Sequence, residues 1–369
     1  HVIGLSHTIL DPSKYSTCAF SMKALNMINM FANKDDFIVV DYSNEGSKSL
    51  NENNIYKSVI LNSDDFNNLT ERDQLDFKKL YDVNNDKLNS IFYHKLILNM
   101  KFFMDRFKSD INIVLHIFGP NKDIYNMFKD AIHVESGIGY NGGSLDTHFK
   151  CNFRVFESIS WMHFHYGGNK FNNGKNYDAV IPNYYNLNEW NIVLNPINKN
   201  VILFFGRLIK CKGIYVVFEV ARRMPDYEIW MIGQGDITIP DDIRNIIVKP
   251  PVLGKDRSDL LGNVGVLLMP TEFIEPFGGS ATEANLCGTP VVSSNYGVFL
   301  EKINYGVNGY YCRTLSDYCH CIKKALKLDR EKIAMLEREK YDMNNIQKQY
   351  SIYFKQLRDV KIGKGWYEN

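Results

Sequence analysis

The chain has 369 residues, 45% of them hydrophobic and 23% charged, which suits about two domains of roughly 150 residues each and excludes disordered and fibrous classes. Lys and Arg total 43 against 42 Asp and Glu, a formal net charge of +1, so no broad basic field exists to hold a nucleic-acid backbone and no nucleic-acid partner is expected. No run approaches the roughly 18 apolar residues of a membrane span, and the opening H-V-I-G-L-S-H-T lacks the basic and apolar regions of a secretory signal; a cytoplasmic protein, peripheral to a membrane at most, is the expectation.

In chain order, short β-rich runs at 2–5, 37–40, 59–61, 111–117, 132–134 and 179–181 alternate with helical patterns. That alternation predicts parallel strands with helices on both faces of a sheet. Gly4 to Thr8 leave the first strand, and a helix over 15–23 opening at a Ser16-Thr17 cap predicts a loop of about ten residues that can close over a cleft, with His7 in it. The polar stretch 64–89 reads as a solvated insertion and receives no role. His116 ends the strand I-N-I-V-L-H before Gly119-Pro120 and is a candidate for chemistry, although a lone His after an apolar run is as often a satisfied core residue. Trp161, Phe164 and Tyr166 are expected to fill a core.

A polar stretch at 182–200 with Pro182 and Pro196 interrupts the rhythm, which resumes at 201–205, 227–232, 246–248, 264–269 and 290–292. The expected domains are therefore 1–190 and 197–344, each Rossmann-like and doubly wound, with strand C-terminal ends facing across a cleft where such sheets bind ligands. The last segment, 330–357, reads as one long helix or two with a break near Asn344-Asn345, and a helix over about 345–369 is expected to pack back on the first domain. Cys18, Cys151, Cys211, Cys287, Cys312, Cys319 and Cys321 are odd in number and scattered, so they read as free thiols. Cys319-His320-Cys321 and His163-Phe164-His165 lack a second ligand pair at metal-site spacing, and no metal is expected.

Two motifs carry chemistry. Residues 275–283, E-P-F-G-G-S-A-T-E, set two carboxylates around a glycine turn that enters a helix. Gly278 and Gly279 let backbone N–H groups approach an anion at the helix start, while Glu275 and Glu283 can each accept hydrogen bonds from vicinal hydroxyls. The pattern suits a nucleotide sugar. In the other motif, Phe204 to Gly213, Arg207 offers a planar fork and Lys212 a flexible ammonium at the end of a strand, two complementary ways to hold a diphosphate.

The spacing G-R-L-x-x-x-K-G, then Gly233-Gln234-Gly235-Asp236, E-P-F-G-x-x-x-x-E-A and G-T-P-V-V closely resembles the retaining glycosyltransferases of family 4, which have the GT-B fold. The likeness covers roughly 200–310; in the first half it rests on element order and Ile181-Pro182-Asn183. It implies that Arg207 and Lys212 bind the donor diphosphate, that Glu275 with the Phe277-Gly278-Gly279 backbone holds the donor sugar, and that Glu283 accepts from the ribose. Gly235 and the loop 251–254, with Val252, fall where the family passes its nucleotide base. The family's usual histidine at the end of the fifth strand corresponds here to Glu135, a departure. Glu135 is a candidate base or sugar ligand, with a pairing to Arg154 as the structural alternative, and His7 and His116 remain acceptor-side candidates. The resemblance implies a metal-free transfer, with no cofactor, from a nucleotide-sugar donor, UDP favoured over GDP, to a glycan, glycolipid or protein hydroxyl. A non-catalytic nucleotide-sugar binder, or a sugar phosphorylase or epimerase on the same architecture, are the alternatives.

Overall fold

The computed structural model of the chain describes residues 1–15, 18–65, 86–119, 121–137, 151–170 and 172–365. The Ser16-Thr17 cap, Pro120, residues 138–140 after Glu135 and most of the polar 64–89 stretch lie outside the described residues. Seven strands, β1 (Val2–Ile3), β2 (Val39–Ser43), β3 (Ile55–Val59), β4 (Ile113–His116), β5 (Ile132–Ser136), β6 (Phe153–Phe156) and β7 (Asp178–Val180), form one sheet in the order β3-β2-β1-β4-β5-β6-β7. Six more, β8 (Asn198–Phe205), β9 (Glu228–Ile232), β10 (Ile246–Lys249), β11 (Val264–Met269), β12 (Val291–Ser294) and β13 (Gly309–Cys312), form a second in the order β10-β9-β8-β11-β12-β13. Every described strand pair is parallel. In both sheets the order reverses beside the first strand, the switch point at which open parallel sheets leave a crevice beyond their strand ends.

Besides the single turn Pro12–Tyr15, the helices of the described residues are α1 (Ala19–Met30), α2 (Asp86–Arg106), α3 (Lys122–Met127), α4 (Ile159–Gly168), α5 (Ile214–Arg223), α6 (Gly254–Gly262), α7 (Gly279–Leu286), α8 (Phe299–Lys302), α9 (Leu315–Ala325), α10 (Arg330–Tyr341) and α11 (Met343–Lys361). They cover both faces of each sheet, which is why central strands such as β11, V-G-V-L-L-M, are apolar without alternation. Ile202, Val217, Val266 and Ile322 fill one face of the second sheet, and Leu203, Leu261, Leu267 and Leu286 the other. Trp161 and Tyr166 are buried as expected, while Phe164 is 39% exposed and stacks on Trp161.

The chain passes from the first sheet to the second through residues 181–197 and returns at Asp342. The two crossings touch: the Tyr185 amide donates to the Tyr341 carbonyl and the Met343 amide to the Tyr185 carbonyl, each at 3.0 Å. This contact moves the predicted break from Asn344-Asn345 to Asp342, whose extended ψ of 129° serves the bridge and whose side chain accepts from the Asn344 amide at the start of α11. Along α11, Ile346, Tyr350, Tyr353, Phe354 and Leu357 enter the first sheet's core beside Leu25 and Ile28 of α1. The Ile, Phe and Leu side chains among them each contribute on the order of 1.5–3 kcal/mol by leaving water.

Candidate active site

The cleft between the two sheets has a volume of about 330 Å³ and is lined by both halves. Its second-half floor begins where β8 and β9 end. A side-chain carbon on Gly233 would collide with the Gly206 carbonyl, and this closeness lets the loops zip together: the Gly206 amide donates to Ile232 at 3.0 Å and the Leu208 amide to Gln234 at 2.7 Å. Arg207 is thereby held on the cleft wall. Lys212, in the turn before α5, donates to Oε1 of Glu275, and both side chains are largely buried. The Thr271 hydroxyl lies 3.3 Å from the same oxygen and 3.0 Å from the Cys211 carbonyl.

Gly278 caps α7 with φ +69°, a conformation that favours glycine, and Gly279 starts the helix. The turn is clamped from beneath by Lys302 of α8, whose ammonium donates to the Phe277 carbonyl at 3.0 Å and to the Thr282 hydroxyl, and lies 3.3 Å over the Phe277 ring. Burial pushes the pKa of Lys302 down to about 7, and burial also raises that of Glu337 behind it to about 7. Glu283, one helix turn into α7, takes Nε of Arg257 at 2.8 Å and a second bond from the same guanidinium, which lies 5.0 Å from the Phe205 ring. Arg257, on α6, is absent from the motifs read in the sequence. Tyr185 reaches in from the crossing segment, its hydroxyl 3.5 Å from the Gly279 carbonyl, and burial holds that phenol well above its ordinary pKa.

The first-half wall consists of one face of α1, the residue after β6 and the crossing segment. Lys23 of α1 and Glu157 are paired at 2.9 Å with both side chains 6% exposed. Burial opposes the Lys23 charge, but Glu157 and Tyr350 outweigh it and hold the pKa above the usual lysine value. Glu157 Oε2 and Asn183 Oδ1 are buried and have no hydrogen-bond partner among the described residues. The two halves are tied beside this wall. The Ser158 hydroxyl donates to the Pro276 carbonyl at 2.7 Å, and Glu301 of α8 accepts the Ile159 and Ser160 amides at 3.0 and 2.6 Å, capping α4 across the gap.

Of the residues singled out in the sequence, Arg207, Lys212, Glu275, Phe277, Gly278, Gly279 and Glu283 all line the cleft. Gly235, at φ +118°, packs against Leu208; Pro251 lines the cleft, while its neighbour Val252 turns into the second-half core. Glu135, His7 and His116 are not among the described residues that line it. Glu135 is 9% exposed and lies across from Arg154 in register, but the Arg154 fork closes on Asp178, at 3.1 and 2.5 Å, with Tyr166 donating to the same carboxylate at 2.8 Å. His116 is buried and bonded at 3.0 Å to His133, which meets the Phe128 carbonyl at 2.9 Å. Burial, and then His133, lowers the His116 pKa to about 3, so the ring is neutral. His7 sits edge-on to Phe118 at 5.5 Å. The cleft presents Lys23, Glu157 and Asn183 from the first half instead. Lys23 and Glu157 are 134 residues apart, so no local signal marks them. Among the described residues no group of three or more His, Cys, Asp or Glu is placed to hold a metal ion, and no helix is long and apolar enough to cross a membrane.

Comparison with known proteins agrees with the second half and with the fold. Residues 189–342 match the family model described as glycosyl transferases group 1. The chain is 32% identical over 124 residues to the D-inositol 3-phosphate glycosyltransferase of Paenarthrobacter aurescens, covering 29% of this chain and 30% of that one. It is 26% identical over 127 residues to the enzyme of the same name from Mycobacterium tuberculosis, covering 31% and 26%. The chain thus spans about a third or less of the length of the curated relatives it matches. Among solved structures, sucrose-phosphate synthase from Thermosynechococcus elongatus superposes with a TM-score of 0.68 at 13% identity over 98% of each chain. Anabaena HepE in complex with UDP-glucose superposes with a TM-score of 0.55 at 14% identity over 71% of this chain and 82% of that one. Two Rossmann-like domains facing a cleft in this arrangement are the GT-B fold.

Proposed function

We propose that the protein is a retaining glycosyltransferase, of the family 4 kind, that moves a sugar from a nucleotide diphosphate donor to an acceptor hydroxyl. One observation carries the reading. The Lys212 ammonium and the Glu275 carboxylate meet beside the glycine-capped start of α7 in the interdomain cleft, so a cation for a diphosphate and an acceptor for sugar hydroxyls lie side by side. Arg207 and Lys212 take the diphosphate, the Phe277-Gly278-Gly279 backbone and Glu275 hold the sugar, and Glu283, steadied by Arg257, accepts from the ribose. As the bond to the sugar breaks, the two cations and the α7 dipole stabilise the negative charge gathering on the leaving diphosphate. Displacement on the same face, with the departing phosphate helping to take the acceptor proton, accounts for retention. With this positive charge supplied by side chains, transfer requires no added metal. The names of the curated relatives support transfer of a glycosyl group, and the UDP-glucose complex of HepE supports a uridine rather than a guanosine donor.

The test is thermal unfolding with UDP, GDP, ADP and their common sugar conjugates, with and without EDTA. A ligand that binds only the folded chain stabilises it by about 2.7 kcal/mol at a hundred times its Kd. Stabilisation by uridine nucleotides that survives EDTA is expected, together with sugar transfer that Lys212→Ala abolishes in a folded protein. No shift with any nucleotide overturns the reading. Turnover that requires free phosphate makes the protein a phosphorylase, and nucleotide-sugar binding without turnover makes it a non-catalytic binder.

A further inference from the structure

The first-half wall of the cleft contains buried polar atoms that the donor reading leaves unused. Phe156, the last residue of β6, accepts from the Ile181 amide at 3.0 Å, so Glu157 and Asn183 follow from neighbouring strand ends. Ala19, Met22, Lys23 and Asn26 recur at helical spacing and turn one face of α1 toward them. Glu157 Oε1 is taken by Lys23, while Glu157 Oε2 and Asn183 Oδ1 are left without a hydrogen-bond partner among the described residues. A buried acceptor without a donor is costly, more so on a charged group, so two on one wall, unmatched among the described residues, mark a place where a ligand donor is favoured. Paired with Lys23 at 2.9 Å through one oxygen, Glu157 leaves the other as an acceptor, and the hydroxyl of a glycosyl acceptor is a donor that complements it.

The same pair limits the charge of what enters. Lys23 is the cation that the described first-half wall presents to the cleft, and it is spent on Glu157. Among the described residues the wall is neutral in sum, and a phosphate or carboxylate on an incoming ring would find no unpaired first-half cation there to offset its charge. Ala19, Phe20 and Met22 supply an apolar patch against which the C–H face of a ring can lie.

We propose that Glu157, oriented by Lys23, and Asn183 form the acceptor subsite, and that it takes an uncharged polyhydroxylated ring, such as a neutral sugar or cyclitol, through adjacent hydroxyls. The proposal rests on the glycosyltransferase reading and narrows its acceptor. Binding of myo-inositol and glucose, each against its monophosphate, is measured by calorimetry on the UDP-saturated protein. Neutral rings bind at least about ten-fold more tightly than their monophosphates, as expected when a charge enters a wall whose cation is already paired. Glu157→Gln weakens the neutral rings by about ten-fold or more, the worth of one hydrogen bond to a charged group. Asn183→Ala, at a less buried position that does not break an ion pair, weakens them about three- to ten-fold. UDP affinity stays within about two-fold in both variants, because neither residue belongs to the second-half donor site. Tighter binding of the monophosphates, no binding of either neutral ring, or unchanged ring affinity in both folded variants overturns the subsite while UDP binding leaves the parent reading standing. Failure of UDP itself to bind sinks the parent reading instead.

Discussion

Lys212 and Glu275 pair in the cleft, and the pair can be dissected with Lys212→Met, Glu275→Gln and the double variant. The Glu275 and Lys212 side chains are 6% and 15% exposed. Breaking a buried ion pair from one side costs about 3–5 kcal/mol because the remaining charge stays buried. Lys212→Met should fall at the low end, about 3 kcal/mol, since Thr271 lies within 3.3 Å of the stranded carboxylate. Glu275→Gln strands an ammonium that can still turn toward the open cleft, and should cost about 1–2 kcal/mol. The double variant should cost about 2–3 kcal/mol, below the sum of the two single losses by a coupling of about 2 kcal/mol between the sites. Urea unfolding monitored by fluorescence measures all three. The same variants separate binding from chemistry: Glu275→Gln releases Lys212 for the diphosphate, so UDP should bind as tightly as to wild type or several-fold more tightly while transfer is lost. A coupling under about 0.5 kcal/mol, within the range of independent sites, or a Glu275→Gln variant that binds UDP poorly, refutes the reasoning.

Three other perturbations test the frame around the site. His116 has its pKa lowered to about 3 by burial, so between pH 6.5 and 3 the unfolded chain binds a proton that the folded chain refuses, and stability falls by about 1.4 kcal/mol per pH unit on acidification; His116→Gln should flatten that slope in unfolding measured from pH 7 to 4. Glu301→Gln weakens the cap that joins the halves at Ile159 and Ser160, at a cost of about 1 kcal/mol, and should raise solvent exchange of those amides while the α7 amides keep their protection. Phe354→Ala opens a cavity among Phe31, Phe37 and Tyr350 and should cost about 3–5 kcal/mol, read as a lower melting temperature; a loss under about 1 kcal/mol would mean that α11 is not part of the first domain's core.

The sequence by itself determined the α/β alternation and the two second-half motifs that line the cleft, because both are local. A strand, a glycine turn and a helix start are written within about a dozen residues, and backbone preference alone sets Gly278 at the cap with Glu275 and Glu283 on either side. Periodicity also found α10 and α11, displaced only where the Tyr185 crossing fixes the break at Asp342. It missed β6 and β13, whose F-R-V-F and G-Y-Y-C carry no clean apolar run and become strands through their neighbours in the sheet. Tertiary structure decided the partners. Lys212 closes on Glu275 from 63 residues away, Arg257 takes Glu283, Arg154 takes Asp178 rather than Glu135, and Lys23 meets Glu157. Charge pairing carries no sequence spacing of its own and follows from which strand ends and helix faces packing brings together; the first-half wall of the cleft could therefore be read only once both sheets and the return of α11 were in place.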